Sequence, residues 1–378
     1  MNWIALKMLM GDRSKYLGLI FGVTFATLLM TQQISIFMGI IRRTASQILD
    51  VRDAAIWVMD NKVRYIDEVP GLPDTYLQRV QGVEGVAWAV KLYKGQVRAR
   101  LQDGNFRNLV LFGLDDATLV GAPKEMIAGD LADLRRPDAV IIDKAGYEYM
   151  WPDEPYILGR ELELNDRRAV LVGVCKASAP FTTLPILYAR YSSASGFVPK
   201  ERHLMTFILA QPDEGLSAQE VCRRINARTE LLALTQDEFF WTTVNYFLGS
   251  TGIPVNFGIT IALGFVVGAA ITGQTFYLFT IENLKQFGAL KAMGVGNLRL
   301  VGMILLQGLV VGVLGYGFGL GLTAAFFEST SGITHLAGLH MTWQAAAGVG
   351  AAVLVIIMLT ALICIRRVVV LEPAVVFR

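Results

Sequence analysis

Few side chains in this chain are of types that carry out chemistry, and their spacing argues against most reactions. Of the three histidines, His203 stands alone. Only His335 and His340 share a short segment and could coordinate one ion together, short of the clustered His, Cys, Asp and Glu ligands of a protein metal site. Cys175 and Cys222 can be read as a disulfide or as two unpaired buried thiols, and Cys364 as packing. No G-x-x-x-x-G-K-[ST] loop occurs to cradle a nucleotide phosphate. Gly315, Gly317, Gly319 and Gly321 superficially suggest a dinucleotide loop, but they fall inside a long apolar run. No Ser-His-Asp set stands out. The expectation is therefore no catalytic residue, no metal ligand and no cofactor.

The elements that would position any site are dominated by four apolar runs, at residues 16–41, 253–279, 299–327 and 343–365. Each exceeds the ~20 residues that cross a hydrocarbon core. A hydrophobic fraction of 53%, a charged fraction of 17% and a mean hydropathy of +0.46 agree with a membrane protein. The first run is too long for a signal-peptide core and lacks a cleavage site, so it reads as an uncleaved anchor. The expected fold is four transmembrane α-helices in a 1 + 3 arrangement, with a large α+β domain at 42–250 between the first and second. A net charge of +2 excludes nucleic acid as an evident partner and leaves the lipid bilayer.

Basic residues orient the chain. Lys7, Arg13 and Lys15 precede the first span, Lys285, Lys291 and Arg299 flank the loop between the second and third, and Arg366, Arg367 and Arg378 follow the fourth. The segment 328–342 has no Lys or Arg, and only Arg42 and Arg43 oppose the pattern. The positive-inside rule then puts both termini in the cytoplasm and 42–250 in the periplasm. No Asp, Glu or Lys lies inside a span, so an ion-driven relay has no residues to use. Gln32 and Gln33 are the most polar marks, suited either to an interhelical hydrogen bond or to the outer interface. Gly18 and Gly22, Gly264 and Gly268, and Gly308 and Gly312 recur at four-residue spacing, which suits close helix packing within the bundle or at a subunit interface.

Apolar stripes predict two helices flanking the outer domain as a stalk: residues 42–53, through Ile41, Ala45, Ile48 and Leu49, and 236–249, through Phe240, Val244, Phe247 and Leu248. Strands are predicted at 54–59, 86–92, 96–101, 108–112, 139–142, 161–164, 169–174 and 204–209, with turns at Lys94-Gly95 and Asp103-Gly104. Helices are predicted at 72–80 and at 217–232, the latter opened by Ser217 and Glu220 as a capping box. The Pro- and Asp-rich stretch 134–155 reads as a boundary between two subdomains.

The segment 280–298 is the most specific. It contains Glu282, Asn283, Leu284, Lys285, Gln286, Phe287, Gly288, Ala289, Leu290, Lys291, Ala292, Met293 and Gly294, a short helix with Leu284, Phe287 and Leu290 on one face. Such a face is built to dock into a groove on a soluble partner. Gly288, Leu290, Ala292 and Gly294 fit a G-x-L-x-A-x-G pattern, with Glu282 upstream. On these residues the segment resembles the coupling helix of the MacB/FtsX/LolC superfamily of ATP-binding cassette permeases. The ending from Arg366-Arg367 through Glu372-Pro373-Ala374 to Arg378, and residues 1–15 as an amphipathic helix before the first span, resemble that family too. In length and plan the chain is most similar to DevC-type permeases.

The resemblance implies a MacB-like periplasmic domain and a permease without enzymatic activity, working as a dimer on a separate ATPase. A membrane-fusion adaptor and an outer-membrane channel would complete an efflux system in the bacterial inner membrane. ATP-driven motion would pass through the coupling helix to the outer domain and drive export of a lipid-like, peptide or drug substrate. Gly288→Asp or Leu290→Asp would then uncouple the ATPase while leaving insertion intact. An FtsX-like transducer that activates a periplasmic hydrolase, a LolC-like lipoprotein-release permease and a membrane-tethered enzyme are the alternatives.

Overall fold

The computed structural model describes residues 2–101, 104–199, 204–330 and 339–370. The chain divides into two compact units, one of residues 1–39 with 252–378 and one of residues 40–251.

The first unit is helical. Helix α1 (Asn2–Gly11) leads into α2 (Arg13–Thr44), and α9 (Ile253–Glu282), α10 (Leu284–Ala292), α11 (Asn297–Thr330) and α12 (Trp343–Val369) follow at the other end of the sequence. Four of them, α2, α9, α11 and α12, are long and apolar enough to cross a membrane. Within the unit α9 is peripheral: its most apolar window is 17% buried, against 44%, 44% and 39% for α2, α11 and α12. Helix α1 buries Ala5 and Leu9, one turn apart, and Gln307 of α11 donates to the Ala5 carbonyl at 2.8 Å. Its other side carries exposed Trp3, Ile4 and Met10 together with Asn2 and Lys7, a mixed rather than a polar face. The expected amphipathic character is thus weak.

The six glycines singled out by spacing all meet another helix of the same bundle. An added Cβ would lie 3.6 Å from Thr275 at Gly18, 3.0 Å from Ile271 at Gly22 and 3.3 Å from Met30 at Gly264. At Gly268 it would collide with Ala26, at Gly312 with Ile357, and at Gly308 it would lie 3.0 Å from Ile357. Gly315 and Gly319 of α11 sit against both side chains and backbone of α2, where Thr24 donates its hydroxyl to the Gly315 carbonyl at 3.2 Å. Thr27, Thr31 and Ser35 continue that face of α2, fully buried and without hydrogen-bond partners. Gln32 and Gln33 are only half-buried.

The second unit is a mixed α/β domain. Its strands are β1 (Ile56–Asp60), β2 (Val86–Arg100), β3 (Phe106–Leu114), β4 (Glu125–Gly129), β5 (Ala139–Asp143), β6 (Glu161–Leu164), β7 (Arg167–Lys176), β8 (Ile186–Arg190), β9 (Phe207–Pro212) and β10 (Leu231–Thr235). Its helices are α3 (Ser46–Asp50), α4 (Thr75–Gln81), α5 (Lys144–Met150), α6 (Tyr191–Phe197), α7 (Ala218–Arg228) and α8 (Gln236–Ser250). The strand order is β10-β1-β9-β2-β3-β8-β5-β7-β4, with β6 against β2 and β7. All pairs are antiparallel except β3 with β8 and β5 with β7.

Several expectations are corrected here. Lys94-Gly95 is no turn: residues 86–100 form one strand, in which Lys94 pairs with Phe112 and Gly95 with Leu111. The strand changes partner at that point, because β9 pairs with residues 86–92 and β3 with 93–100. The strands form one ten-stranded sheet with no boundary at 134–155, which supplies β5 to the sheet and α5 beside it. The helix predicted to run to 232 ends at Arg228, since Leu231–Thr235 is recruited as an edge strand beside β1. The strand expected at 204–209 starts at Phe207, and β4, β8, α5 and α6 went unread. Asp103 lies outside the described residues.

The first stalk helix breaks at Ala45 and stops at Asp50, three residues short of the expectation. The second runs at Gln236–Ser250, opened by a reciprocal capping box between Thr235 and Glu238. Its buried face is Phe239, Thr243, Val244 and Phe247, not Phe240 and Leu248, because Phe239 packs on Trp57 at 5.5 Å and on Phe207 at 5.8 Å. Gln236 braces the two helices, donating to the carbonyls of Ile48 at 2.8 Å and Val51 at 2.6 Å.

Candidate functional site

The segment with the strongest sequence signal, 280–298, folds as α10 and its flanks. Asn283 separates α9 from α10 and donates its side-chain amide to the Phe279 carbonyl at 2.8 Å, so the chain turns without leaving that carbonyl unpaired. At the other end Val295 N–H donates to Leu290 O at 3.1 Å and Gly294 N–H to Lys291 O at 3.0 Å. Gly294 has φ +89°, a left-handed conformation natural to glycine, and the two bonds make a Schellman stop. Glycine is thus required at 294 by backbone geometry.

The apolar face of α10 does not point where the sequence suggests. Phe287, Gly288 and Leu290 are buried in the helical unit's own core with Phe279, Leu300, Cys364 and Val368, and Leu284 packs against that core. An amphipathic helix buries its apolar stripe wherever apolar surface is nearest, and here α9 and α12 supply it. The docking face expected at Leu284, Phe287 and Leu290 is therefore consumed within the bundle. Gly288→Asp or Leu290→Asp would put a carboxylate into that core and unfold it locally, so neither substitution isolates a partner contact.

What α10 presents outward is different. Lys285, Gln286, Ala292 and Met293 are exposed, Met293 at 73%, and Leu298 beyond the Schellman turn is 88% exposed. Leu298 was not singled out by its sequence context. Its signal would have been a bulky apolar residue between Gly296-Asn297 and Arg299, where no span needs one. Two lysines brace the helix. Lys15 at the foot of α2 pairs with Glu282 and with Asp12, the latter at 2.9 Å. Lys291 donates to the Val369 carbonyl at 2.8 Å, completing the C-terminal turn of α12. Glu282 thus links α9 to α2, while Lys291 links α10 to α12.

No nucleophile or metal centre emerges elsewhere among the described residues. Among the described residues no group of three or more His, Cys, Asp or Glu could hold a metal ion. His203 and His335 lie outside the described residues, as does the tail from residue 371. Cys175 and Cys222 are free and buried, and burial raises both thiols, Cys222 to about 12. Asp143 accepts from Ile186 N–H at 2.7 Å and Gly146 N–H at 3.2 Å. Burial outweighs those two donors and lifts its carboxyl to about 6. Its place between β8 and the first turn of α5 makes it a structural cap.

Comparison with known proteins bears on the helical unit. No curated protein matches the chain. Among solved structures, the periplasmic region of MacB from Actinobacillus actinomycetemcomitans is 13% identical, covering 54% of this chain and 96% of that one, with a TM-score of 0.38. The extracellular domain of the noncanonic ABC-type transporter YknZ from Gram-positive bacteria is 15% identical, covering 48% of this chain and 98% of that one, with a TM-score of 0.36. Residues 258–373, the part of this chain that holds α10, match the family of FtsX-like permease C-terminal domains.

Proposed function

We propose that this chain is the membrane-spanning subunit of an ATP-binding cassette transporter whose ATPase is a separate polypeptide. The observation that carries the reading is the FtsX-like permease match over the segment containing α10. In this reading both termini and α10 face the cytoplasm, and residues 42–250 form the periplasmic domain. Exposed Met293 and Leu298, at and beyond the C-terminal end of α10, enter a groove on the ATPase. Apolar anchors at the tip of a short, braced helix are suited to that task. Because Lys291 ties α10 to α12 and Lys15 ties Glu282 to α2, a displacement of α10 is delivered to the spans rather than lost in a loose loop.

Two copies would sit on two ATPase subunits, with a periplasmic membrane-fusion adaptor and an outer-membrane channel beyond. Cargo of a lipid-like, peptide or drug type would be handled by the periplasmic domain. The absence of Asp, Glu and Lys from the interiors of the spans supports an energy source outside them.

The test is an affinity purification of the tagged full-length protein from membranes, followed by mass spectrometry. An ABC ATPase should come with the wild type, and Met293→Asp with Leu298→Asp should lose it while remaining inserted at normal abundance. Recovery of no ATPase would sink the reading. Undiminished recovery with the double variant would move the contact away from α10.

A further inference from the structure

Among the described residues, the partner switch in β2 leaves part of one strand edge open. On that edge β9 pairs as far as Leu92, and β6 takes over only at Ala99. Lys94 directs its N–H to this side, donating to the Thr206 hydroxyl at 2.8 Å. Arg98 does the same, donating to Asn165 Oδ1 at 3.2 Å and accepting from the Asn165 N–H at 3.0 Å. Gln96 lies midway between them, and alternate residues of a strand direct their backbone groups to the same edge. Its N–H and C=O therefore face the gap, where neither β9 nor β6 pairs with them.

The gap opens onto a cavity of about 420 Å³, lined on this edge by Lys94, Gly95 and Gln96. Val69, Val110 and Leu204 give it apolar walls. At its floor Lys94, only 3% exposed, donates to the Ile66 carbonyl at 3.2 Å and to Asp67, whose carboxylate stays 36% exposed. Ligand cavities of such size combine apolar walls with a few fixed polar groups. The ion pair holds the 61–72 segment in place as one wall, so the cavity is preformed.

We propose that this cavity binds an extended peptide segment, one residue of which exchanges both backbone hydrogen bonds with Gln96 while its side chain lies among Val69, Val110 and Leu204. An unpaired strand edge selects for peptide because an extended residue offers one N–H and one C=O at the matching spacing. A simple anion would meet Asp67 and a simple cation would meet Lys94. From Lys94 to Arg98 the gap admits about three to five residues at ~3.3 Å each before the Thr206 and Asn165 contacts close it. The site lies wholly in the 40–251 unit and does not depend on the transport reading.

The probe is the end-blocked tripeptide acetyl-Leu-Ala-Leu-amide, titrated into the full-length protein in detergent and followed by ligand-observed NMR. Binding should be saturable. Of three copies each N-methylated at one backbone nitrogen, at least one should bind about tenfold more weakly, the effect of a lost hydrogen bond. Gln96→Pro should weaken the parent peptide comparably, and because its N–H has no ladder partner the strand should tolerate proline. No saturable binding, or equal binding by the parent and all three methylated copies, would overturn the proposal on the unaltered protein, whether or not the proline variant folds. The unblocked peptide Leu-Ala-Leu separates the sources. Tighter binding than the blocked form marks a site for free peptides whose charged ends use Lys94 and Asp67, and weaker binding marks a site for an internal segment of a protein.

Discussion

Four glycines in one helix make opposite demands on their surroundings, and that difference can be measured. In α11 an added Cβ at Gly315 would lie 2.6 Å from the Val23 Cβ and 3.1 Å from the Ile20 carbonyl. At Gly319 it would lie 2.5 Å from the Thr27 Cβ and 2.9 Å from the Thr24 carbonyl oxygen, which is backbone and cannot swing aside. At Gly317 and Gly321 nothing lies within 4 Å. Carbon atoms pack best at ~3.5–4.0 Å, so Gly319→Ala forces α2 and α11 apart or strains both, and overpacking of this kind costs about 1–3 kcal/mol.

At Gly317 only helix propensity changes, and alanine is favoured there by about 1 kcal/mol. Both substitutions gain the same helix propensity, so, two residues apart, they should differ by the overpacking cost of about 1–3 kcal/mol. The assay is unfolding of the detergent-solubilised protein by titration with SDS, followed by far-UV ellipticity. Gly317→Ala should unfold at or above the wild-type midpoint and Gly319→Ala clearly below Gly317→Ala. If Gly319→Ala is as stable as Gly317→Ala, the α2–α11 seam is not packed as described and the steric argument fails.

Two other substitutions test polar groups that burial makes costly. Thr31→Val keeps the shape of a fully buried side chain and deletes a hydroxyl that has no partner, so it should leave stability unchanged or raise it by about 1 kcal/mol in the same titration. A loss beyond 1 kcal/mol would mean the hydroxyl is bonded after all. Asp143 holds its proton up to about pH 6 when folded and to 3.8 when unfolded, so its contribution is fully present below about pH 4 and shrinks as pH rises through about 6, by about 3 kcal/mol. Asp143→Ala lacks this dependence, and the stability gap between wild type and variant should narrow from about pH 4 to pH 7. A gap that stays constant with pH, measured by denaturant unfolding of the full chain with intrinsic tryptophan emission, would refute the burial argument.

Much of the helical unit was legible because its signals are intrinsic to the residues that carry them. Four apolar runs need no context to be read, and each is a helix here. The glycine stripe was only half read. Gly308, Gly312, Gly315 and Gly319 follow the four-then-three spacing that keeps residues on one face, whereas Gly317 and Gly321 fall on another. Counting that period, rather than noting glycines in general, would have separated the close approaches from the open positions. Thr24, Thr27, Thr31 and Ser35 share such spacing on α2 and were overlooked beside the more polar Gln32 and Gln33, which the structure leaves half-buried.

The parts that were misread depend on partners far along the chain. Lys94-Gly95 looks like a turn because a charged residue and a glycine are poor strand formers, yet Lys94 is neutralised by Asp67, 27 residues earlier, and Gly95 sits beneath the Tyr93 ring. No local reading can supply Asp67. Leu231–Thr235 was absorbed into a helix for the same reason, since only β1 makes it a strand. The face of α10 is the instructive case. An apolar stripe fixes that Leu284, Phe287 and Leu290 will be buried, but the same stripe serves a groove on a partner or the bundle beside it. The choice follows from which apolar surface is covalently nearer, and α9 and α12 are attached to α10 at no cost in association entropy. A short amphipathic helix between two spans should therefore be expected to turn its apolar face inward first. Its contacts with other proteins are then to be sought among the apolar residues left over, here Met293 and Leu298.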